Sequence, residues 1–238
     1  MKPSLSNSVS CLACAVAILA GSGCATTANN PKDPFEGFNR AMFAVNEGLD
    51  VAIVKPLAQG YDTVAPLPVK VVVGNFFGNL WDVWTALNNL LQGKPGDAAS
   101  DVGRVLVNST VGIGGAFDVA GELGLTKHSE EFGQTLAVWG VGDGPYFYWP
   151  LIGPRTTRDT FGWLVDTYYD PVWRVDDMAL RNSLVATRYI DLRATLLPSD
   201  KVIEEAAFDK YNYIRDAYLQ HRRNEVFDGD PPRVLLDD

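Results

Sequence analysis

Three sets of side chains in this chain could do chemistry: one thiol, two imidazoles and a scatter of carboxylates. Cys24 stands just past Leu19-Ala20-Gly21-Ser22-Gly23, where its thiol would be open to acylation once the residues before it were removed. His128 lies in a polar turn, Thr126-Lys127-His128-Ser129-Glu130, and His221 in the basic last turn of a helix, where positive charge is favourable. No HExxH, no His pair at ligand spacing and no G-x-S-x-G accompanies them. Asp82, Asp118, Asp143, Asp159 and Asp166 have apolar or aromatic neighbours. Capping, arginine pairing or solvation accounts for such carboxylates more readily than acid/base work, which needs two of them held a few ångströms apart. Gly112-x-Gly114 fails as a dinucleotide fingerprint because Phe117 stands where the third glycine belongs. The sequence marks no catalytic residue, no metal site and no cofactor. A Ser–His–Asp triad could still assemble in space, so a lipid hydrolase stays open as an alternative.

Residues 1–23 read as an export leader. Lys2 is the only charge before Asp33, Val9 to Ala20 is almost wholly apolar, and small residues close the run. The apolar stretch is too short to cross a hydrocarbon core of roughly 30 Å. With Cys24 next, the pattern resembles a bacterial lipoprotein signal, although Gly21 stands where such signals usually carry Leu. Cys24 is therefore expected to become an acylated N-terminus. Removal of the leader would leave 215 residues with 19 basic and 29 acidic side chains, enough chain for a substantial core. That acidic balance argues against nucleic acid as a partner. With Cys11 and Cys14 gone, Cys24 would be the last thiol, so no internal disulfide is available. Each buried acyl methylene contributes about 0.8 kcal/mol, so two or three long chains hold a protein at a membrane. Six Trp, eleven Phe and nine Tyr fit either a packed core or an amphipathic surface at a membrane interface.

The elements that would position these residues read as mostly helical. Residues 24–32 form a polar tether. Asp33, Pro34 and Glu36 open a helix with one apolar face through Phe35, Phe38, Met42, Val45 and Leu49, and Pro56 is expected to end it. Residues 61–68 read as a loop. Val69 to Val73 would be a strand by local propensity alone. Residues 75–91 carry a broad apolar face and a narrow polar strip of Asn75, Asn79, Asp82 and Asn89, which suits either a core helix or one with lipid on its broad side and a wet lumen on its strip. After a turn at 93–96, Asp97 can cap a helix to about Ser109, and the glycine-rich run 111–121 permits close packing or a sharp connection. Residues 132–159 are too rich in Gly, Pro and aromatics for a long helix or a central strand. Gly140, Gly142, Gly144, Pro145, Tyr146, Pro150, Gly153 and Pro154 punctuate this stretch, whose aromatics must be buried in the core, in a partner or in lipid. Two further helices follow, about 176–197, ending before Pro198, and 199–223. Residues 224–238 form a charged tail expected to be disordered.

Several runs resemble the MlaA/VacJ lipoprotein family of Gram-negative outer membranes. They begin with Asp33-Pro34-Phe35-Glu36-Gly37-Phe38-Asn39-Arg40, in which Phe38, Asn39 and Arg40 form the N-terminal motif. Asn75-Phe76-Phe77-Gly78-Asn79-Leu80, Asn88-Asn89-Leu90-Leu91-Gln92-Gly93 and Asn108-Ser109-Thr110-Val111-Gly112 follow. Later come Glu131-Phe132-Gly133-Gln134-Thr135-Leu136, Gly140-Val141-Gly142-Asp143-Gly144-Pro145-Tyr146 and Leu151-Ile152-Gly153-Pro154. The chain departs at Glu131, where Asp is common, and at Arg155, where a small residue is usual. The resemblance implies an all-α, ring-like arrangement of amphipathic helices around a channel, over residues 33–223. It implies a lipid-anchored protein of the outer membrane, partly embedded in the inner leaflet. Such a protein removes mislocalised phospholipids from the outer leaflet and hands them to a soluble periplasmic lipid-carrier protein, beside trimeric porins. The resemblance also implies helix or extended loop at Val69 to Val73, makes Asn75, Asn79, Asp82 and Asn89 candidates for lining the lipid path, and makes Gly140 to Pro154 a candidate hairpin that gates or lines the channel. A structural tether at porins, carrying no lipid, is the other alternative.

Overall fold

The computed structural model describes residues 30–233; Cys24, the leader and most of the tether lie outside them. Helix α1 (Glu36–Leu49) runs through a π-turn (Asp50–Val54) into α2 (Lys55–Val64). Pro56 therefore does not end the first helix. The Lys55 N–H reaches back to Asp50 O, the wider step of a π-turn, and Pro56 enters where the α register restarts and a missing N–H is tolerated. Asp33 does not cap α1 either: Phe35 occupies that position without a side-chain cap, and Asp33 is buried.

The expected loop shrinks to a break at Ala65–Pro66. Helix α3 (Leu67–Leu91) then absorbs Val69 to Val73, because a 25-residue helix overrides the β preference of five residues. Gly93, at φ +78°, turns the chain into α4 (Pro95–Thr110), which packs back along α3. The glycine-rich segment is a close-packed turn. A Cβ on Gly112 would sit 2.3 Å from Phe117 O and 2.6 Å from Asn108 O. Short helices α5 (Val119–Glu122) and α6 (Phe132–Val138) follow, the first capped by Asp118 and the second closed by a Glu131/Gln134 capping box. Strands β1 (Tyr146–Trp149) and β2 (Gly153–Thr156) pair antiparallel around a turn of Pro150, Leu151 and Ile152. Helix α7 (Thr157–Tyr169) leads through a 3-10 turn (Pro171–Arg174) to α8 (Met178–Ala206) and α9 (Lys210–Val226).

The expected break before Pro198 is absent: α8 runs straight through it. A proline inside a helix costs about 3 kcal/mol, and ion pairs straddle this one. Arg193 binds Asp50 and Asp200, each at 2.8 Å, and Lys55 reaches Asp200 at 3.0 Å. The chain breaks instead at Ala207–Asp209, where Asp209 caps α9 by accepting from Asn212 N. Helix α9 extends to Val226 and Asp228 pairs with Lys94 at 2.6 Å, so the ordered body reaches past residue 223.

Packing closes into a circuit. Helix α1 lies on β1, β2 meets α7, α7 packs on α6, α6 and α8 meet α3, and α8 packs on α2, which returns to α1 through the π-turn. Burial in this ring is inverted relative to a water-soluble protein. Among the described residues no Leu, Ile or Phe is buried, while Asp82, Asp101, Arg104, Asn88, Asn89 and Asp159 are. The apolar core is one small cluster of Met42, Tyr146, Tyr148 and Tyr211, flanked by Phe38, Phe43 and Ile214.

Candidate functional site

The hairpin is fixed by side-chain amides of α1. Asn39, fully buried, donates from Nδ2 to Asp33 Oδ1 (2.7 Å) and Tyr146 O (3.1 Å), and accepts from Tyr148 N (2.8 Å). Two turns later Asn46 donates to Trp149 O (2.9 Å) and accepts from Leu151 N (2.8 Å). Helix α1 thus supplies partners to Tyr146 O, Tyr148 N and Trp149 O along the outer edge of β1, in part as a further strand would. The other members of the N-terminal motif serve the same joint. Arg40 binds Asp209 (2.7 Å) and Glu36 (2.7 Å) and lies 4.5 Å from the Tyr211 ring, and Phe38 packs on the tyrosine cluster. Asp33 accepts from Tyr211 Oη and Arg215, which ties the entry of the domain to α9. The sequence marked Phe38, Asn39 and Arg40 but not Asn46. The spacing of seven between the two asparagines, which puts both on one helix face, was the available signal.

Tyr146 and Tyr148 point into the core while Phe147 and Trp149 are half-buried and stack on each other at 5.2 Å. The tip is exposed, with Leu151 at φ +64°. Pro150 lies in this tip, and Gly153 and Pro154 form the returning strand opposite Trp149 and Tyr148. Gly140, Gly142 and Gly144 lie in the loop before β1, and Pro145 O accepts from Thr157 N at 2.9 Å. This loop borders an open cavity of about 490 Å³ that also touches Arg158, Arg222 and Arg223. Beside it Asp159, buried, takes Arg222 Nη2 (2.9 Å), Arg158 and the Tyr218 hydroxyl (2.8 Å). Burial pushes the Asp159 carboxyl upward, but Arg222 and Arg158 prevail and hold it below the usual range.

The polar strip of α3 faces α4. Asn75 Nδ2 donates to Ala116 O (3.2 Å) and Asn79 Nδ2 to Ser109 Oγ (3.0 Å). Asp82 takes Lys127 Nζ (2.8 Å) and Arg104 Nε (3.5 Å), and Asn89 Nδ2 donates to Asp101 (2.8 Å). Arg104 in turn binds Asp118 at 2.8 Å. The lipid-path candidates Asn79, Asp82 and Asn89 are thus sealed in a helix–helix seam, and Asn75 borders it. The physical reason lies in α4, whose inner face of Asp101, Arg104 and Asn108 is as polar as the strip it meets. The apolar side of the pair is left outward at Val83, Leu87, Leu90, Val102 and Leu106. His128 belongs to the same seam, with Nδ1 3.1 Å from Asp101, whereas His221 is exposed near Glu225.

A different cavity, of about 310 Å³, is bounded by α3, β2, α7, the 3-10 turn and α8. Its walls are amphipathic. Trp81, Trp163, Trp173 and Tyr189 supply aromatic faces, and Glu131, Arg155, Asp166, Asp170 and Arg188 supply charge. Asp166 accepts from Trp84 Nε1 (2.7 Å) and Phe132 N (3.0 Å). Burial, with Glu131 close by, pushes its carboxyl up to about 6. Arg155 stands 5.6 Å from the Trp163 ring, and Arg188 binds Asp170 at 2.7 Å. Apolar walls with a few converging polar groups are the usual make-up of a small-molecule site. Sequence reasoning noted Arg155 as a departure and Asp166 as a scattered carboxylate, but their convergence depends on β2 and α7 meeting in space.

Comparison with known proteins supports the same architecture. A family model described as MlaA lipoprotein matches residues 31–225. A relative from Escherichia coli K12, named intermembrane phospholipid transport system lipoprotein MlaA, is 35% identical over 206 residues, 83% of this chain and 81% of that protein. An uncharacterized protein of Rickettsia felis is 38% identical over 195 residues, 82% of this chain and 77% of its own length. A solved structure described as "Structural basis for maintenance of bacterial outer membrane lipid asymmetry" aligns with TM-score 0.72 at 33% identity, covering 83% of this chain and 99% of that one. The chain belongs to the MlaA lipoprotein family.

Proposed function

We propose that this protein acts in phospholipid transport at the outer membrane. In this reading Cys24 carries the lipid anchor and the ring sits partly in the inner leaflet. It takes mislocalised phospholipids from the outer leaflet through the amphipathic cavity between α3, α7 and α8. It then passes them to a soluble periplasmic carrier, beside trimeric porins and with no catalytic step of its own. The hairpin, whose returning strand β2 brings Arg155 to the cavity wall, gates or lines the path.

The inverted burial carries this reading. Full burial of a large apolar side chain is worth about 1.5–3 kcal/mol relative to water, yet Leu87, Leu90, Leu106 and Leu151 are all left exposed. Lipid chains would cover that surface at no cost. Among the described residues no helix is long and apolar enough to cross a membrane, so partial entry into one leaflet suits these faces better than spanning. The names of the Escherichia coli relative and of the solved structure point the same way.

The test is replacement of the native relative in a Gram-negative strain by this gene, with outer-leaflet phospholipid measured by surface labelling. Wild type should lower it and Cys24→Ala should not. A protein that reaches the outer membrane yet leaves surface phospholipid unchanged would refute transport. Release of lysophospholipid or fatty acid would favour the hydrolase instead.

A further inference from the structure

The charges in the 310 Å³ cavity do not all cancel in place. Glu131 is engaged by Arg222, and Asp170 by Arg188 at 2.7 Å. Two charges remain. Arg155 has no carboxylate within 4.0 Å among the described residues, and its Nε is sealed from solvent without a hydrogen-bond partner. Asp166 accepts only from neutral donors, the Trp84 indole and the Phe132 amide. One cation and one anion thus face a shared space walled by indole and phenol rings.

We propose that this pair reads a lipid headgroup and selects a zwitterionic, amine-bearing phosphodiester over an anionic glycerol headgroup. The phosphate lies on the Arg155 guanidinium and the ammonium between Asp166 and the aromatic faces of Trp163 and Trp173. The assignment rests on the cavity being the lipid path. A guanidinium fork matches phosphate oxygens, and Arg155 lines the cavity with no carboxylate to neutralise it. Indole faces and a carboxylate are the usual partners of an ammonium group. A zwitterion therefore satisfies both unpaired charges. An anionic headgroup satisfies Arg155 but leaves Asp166 facing hydroxyls, and it adds negative charge to a cavity already holding three carboxylates against two guanidinium groups.

The experiment is native mass spectrometry of the full-length lipidated protein in detergent micelles doped equally with phosphatidylethanolamine and phosphatidylglycerol of the same acyl chains. Wild type should retain the amine lipid over the glycerol lipid by about tenfold. Asp166→Asn should bring the ratio close to one. Arg155→Gln should weaken both lipids about tenfold, and Arg155→Lys should recover most of that loss. Excess inorganic phosphate should displace neither lipid; displacement would assign the site to free phosphate. Equal retention by wild type, an unchanged ratio in Asp166→Asn, or an unchanged affinity in Arg155→Gln overturns headgroup selection. Absence of any bound phospholipid overturns the lipid path itself. If Asp166→Asn does not fold by circular dichroism, wild type and the Arg155 variants decide the matter.

Discussion

Asn39→Leu should be among the most damaging single changes in this protein, although it replaces one side chain by another of similar size. Asn39 is fully buried and serves three groups on two other segments: Asp33 Oδ1, Tyr146 O and Tyr148 N. Leucine would leave all three unpaired. A buried polar group without a partner costs about 1–3 kcal/mol, and Asp33 keeps Tyr211 and Arg215 as donors. The expected loss is therefore about 3–5 kcal/mol, from the two orphaned strand groups and a weakened carboxylate. For a domain of this size that lowers Tm by about 6–20 °C. Asn46→Leu is the control. It also removes two bonds to β1, but these lie at Trp149 O and Leu151 N beside an exposed tip where water can replace them. The cost there should stay near 1 kcal/mol, a shift of about 2–4 °C. Thermal unfolding of the full chain in detergent micelles, followed by near-ultraviolet circular dichroism, reads both. Equal shifts for the two variants, or a Tm for Asn39→Leu within about 3 °C of wild type, would refute burial as the deciding factor.

The Asp166 carboxyl is raised by burial from 3.8 to about 6 in the folded protein, so it binds its proton more tightly when folded. Its contribution to stability is complete below about pH 4 and is lost as pH rises through about 6. Asp166→Asn keeps the acceptor oxygen and removes that loss. The variant should therefore gain about 1–3 kcal/mol on wild type between pH 4.5 and pH 8, read as a difference in Tm at the two pH values. A difference that does not change with pH would show that Asp166 is not titrating there. Gly112→Ala should destabilise strongly, since its Cβ would collide with the backbone oxygens of Phe117 and Asn108. Gly48→Ala, in α1 with nothing within 4 Å of the added carbon, should instead stabilise by about 0.5–1 kcal/mol. Chemical denaturation of the two glycine variants checks the opposite signs, and a stabilised Gly112→Ala would discard the close-packing account.

The sequence carried the helical period well and its consequences less well. Residues 75–91 showed their broad apolar face and narrow polar strip, and the structure keeps both in α3. Periodicity cannot say which side faces the protein, so a core helix and a lumen-lining helix fit the pattern equally; the equally polar inner face of α4, which meets the strip, is not visible in the period of α3. Prolines misled for a related reason. Pro56 and Pro198 are helix breakers by local rule, but a π-turn and the Arg193–Asp200 and Lys55–Asp200 ion pairs carry the helices past them. Asp33 looks like a cap in the sequence because capping is a local motif, whereas its partners Tyr211 and Arg215 are about 180 residues away. The hairpin forms at Tyr146–Thr156, overlapping a stretch that its Gly, Pro and aromatic density sets apart as neither long helix nor central strand. Its docking on Asn39 and Asn46 is not legible there, because side-chain amides pairing with a strand edge leave no composition signal.

The burial of the α3 polar strip follows from amphipathic helices being used here with their usual sides exchanged. In a water-soluble bundle the apolar stripe faces inward and burial of Leu and Ile supplies the drive. Here the inward faces of α3 and α4 carry Asp82, Asn89, Asp101, Arg104 and Asn108, and the outward faces carry the leucines. Against lipid, apolar side chains gain little by turning inward, since hydrocarbon is as good a solvent for them as a protein core. Polar groups gain much, because any left against hydrocarbon would lack partners. The seam between α3 and α4 is held by hydrogen bonds and ion pairs such as Asp82–Lys127, Asn89–Asp101 and Arg104–Asp118, and opening it would strand charges such as Arg104. A rigid, polar-stitched wall of this kind leaves motion to the parts outside the stitching. The hairpin tip is held by Asn46 alone from α1 and is exposed at Leu151, which makes it the segment best placed to move while the ring holds its shape.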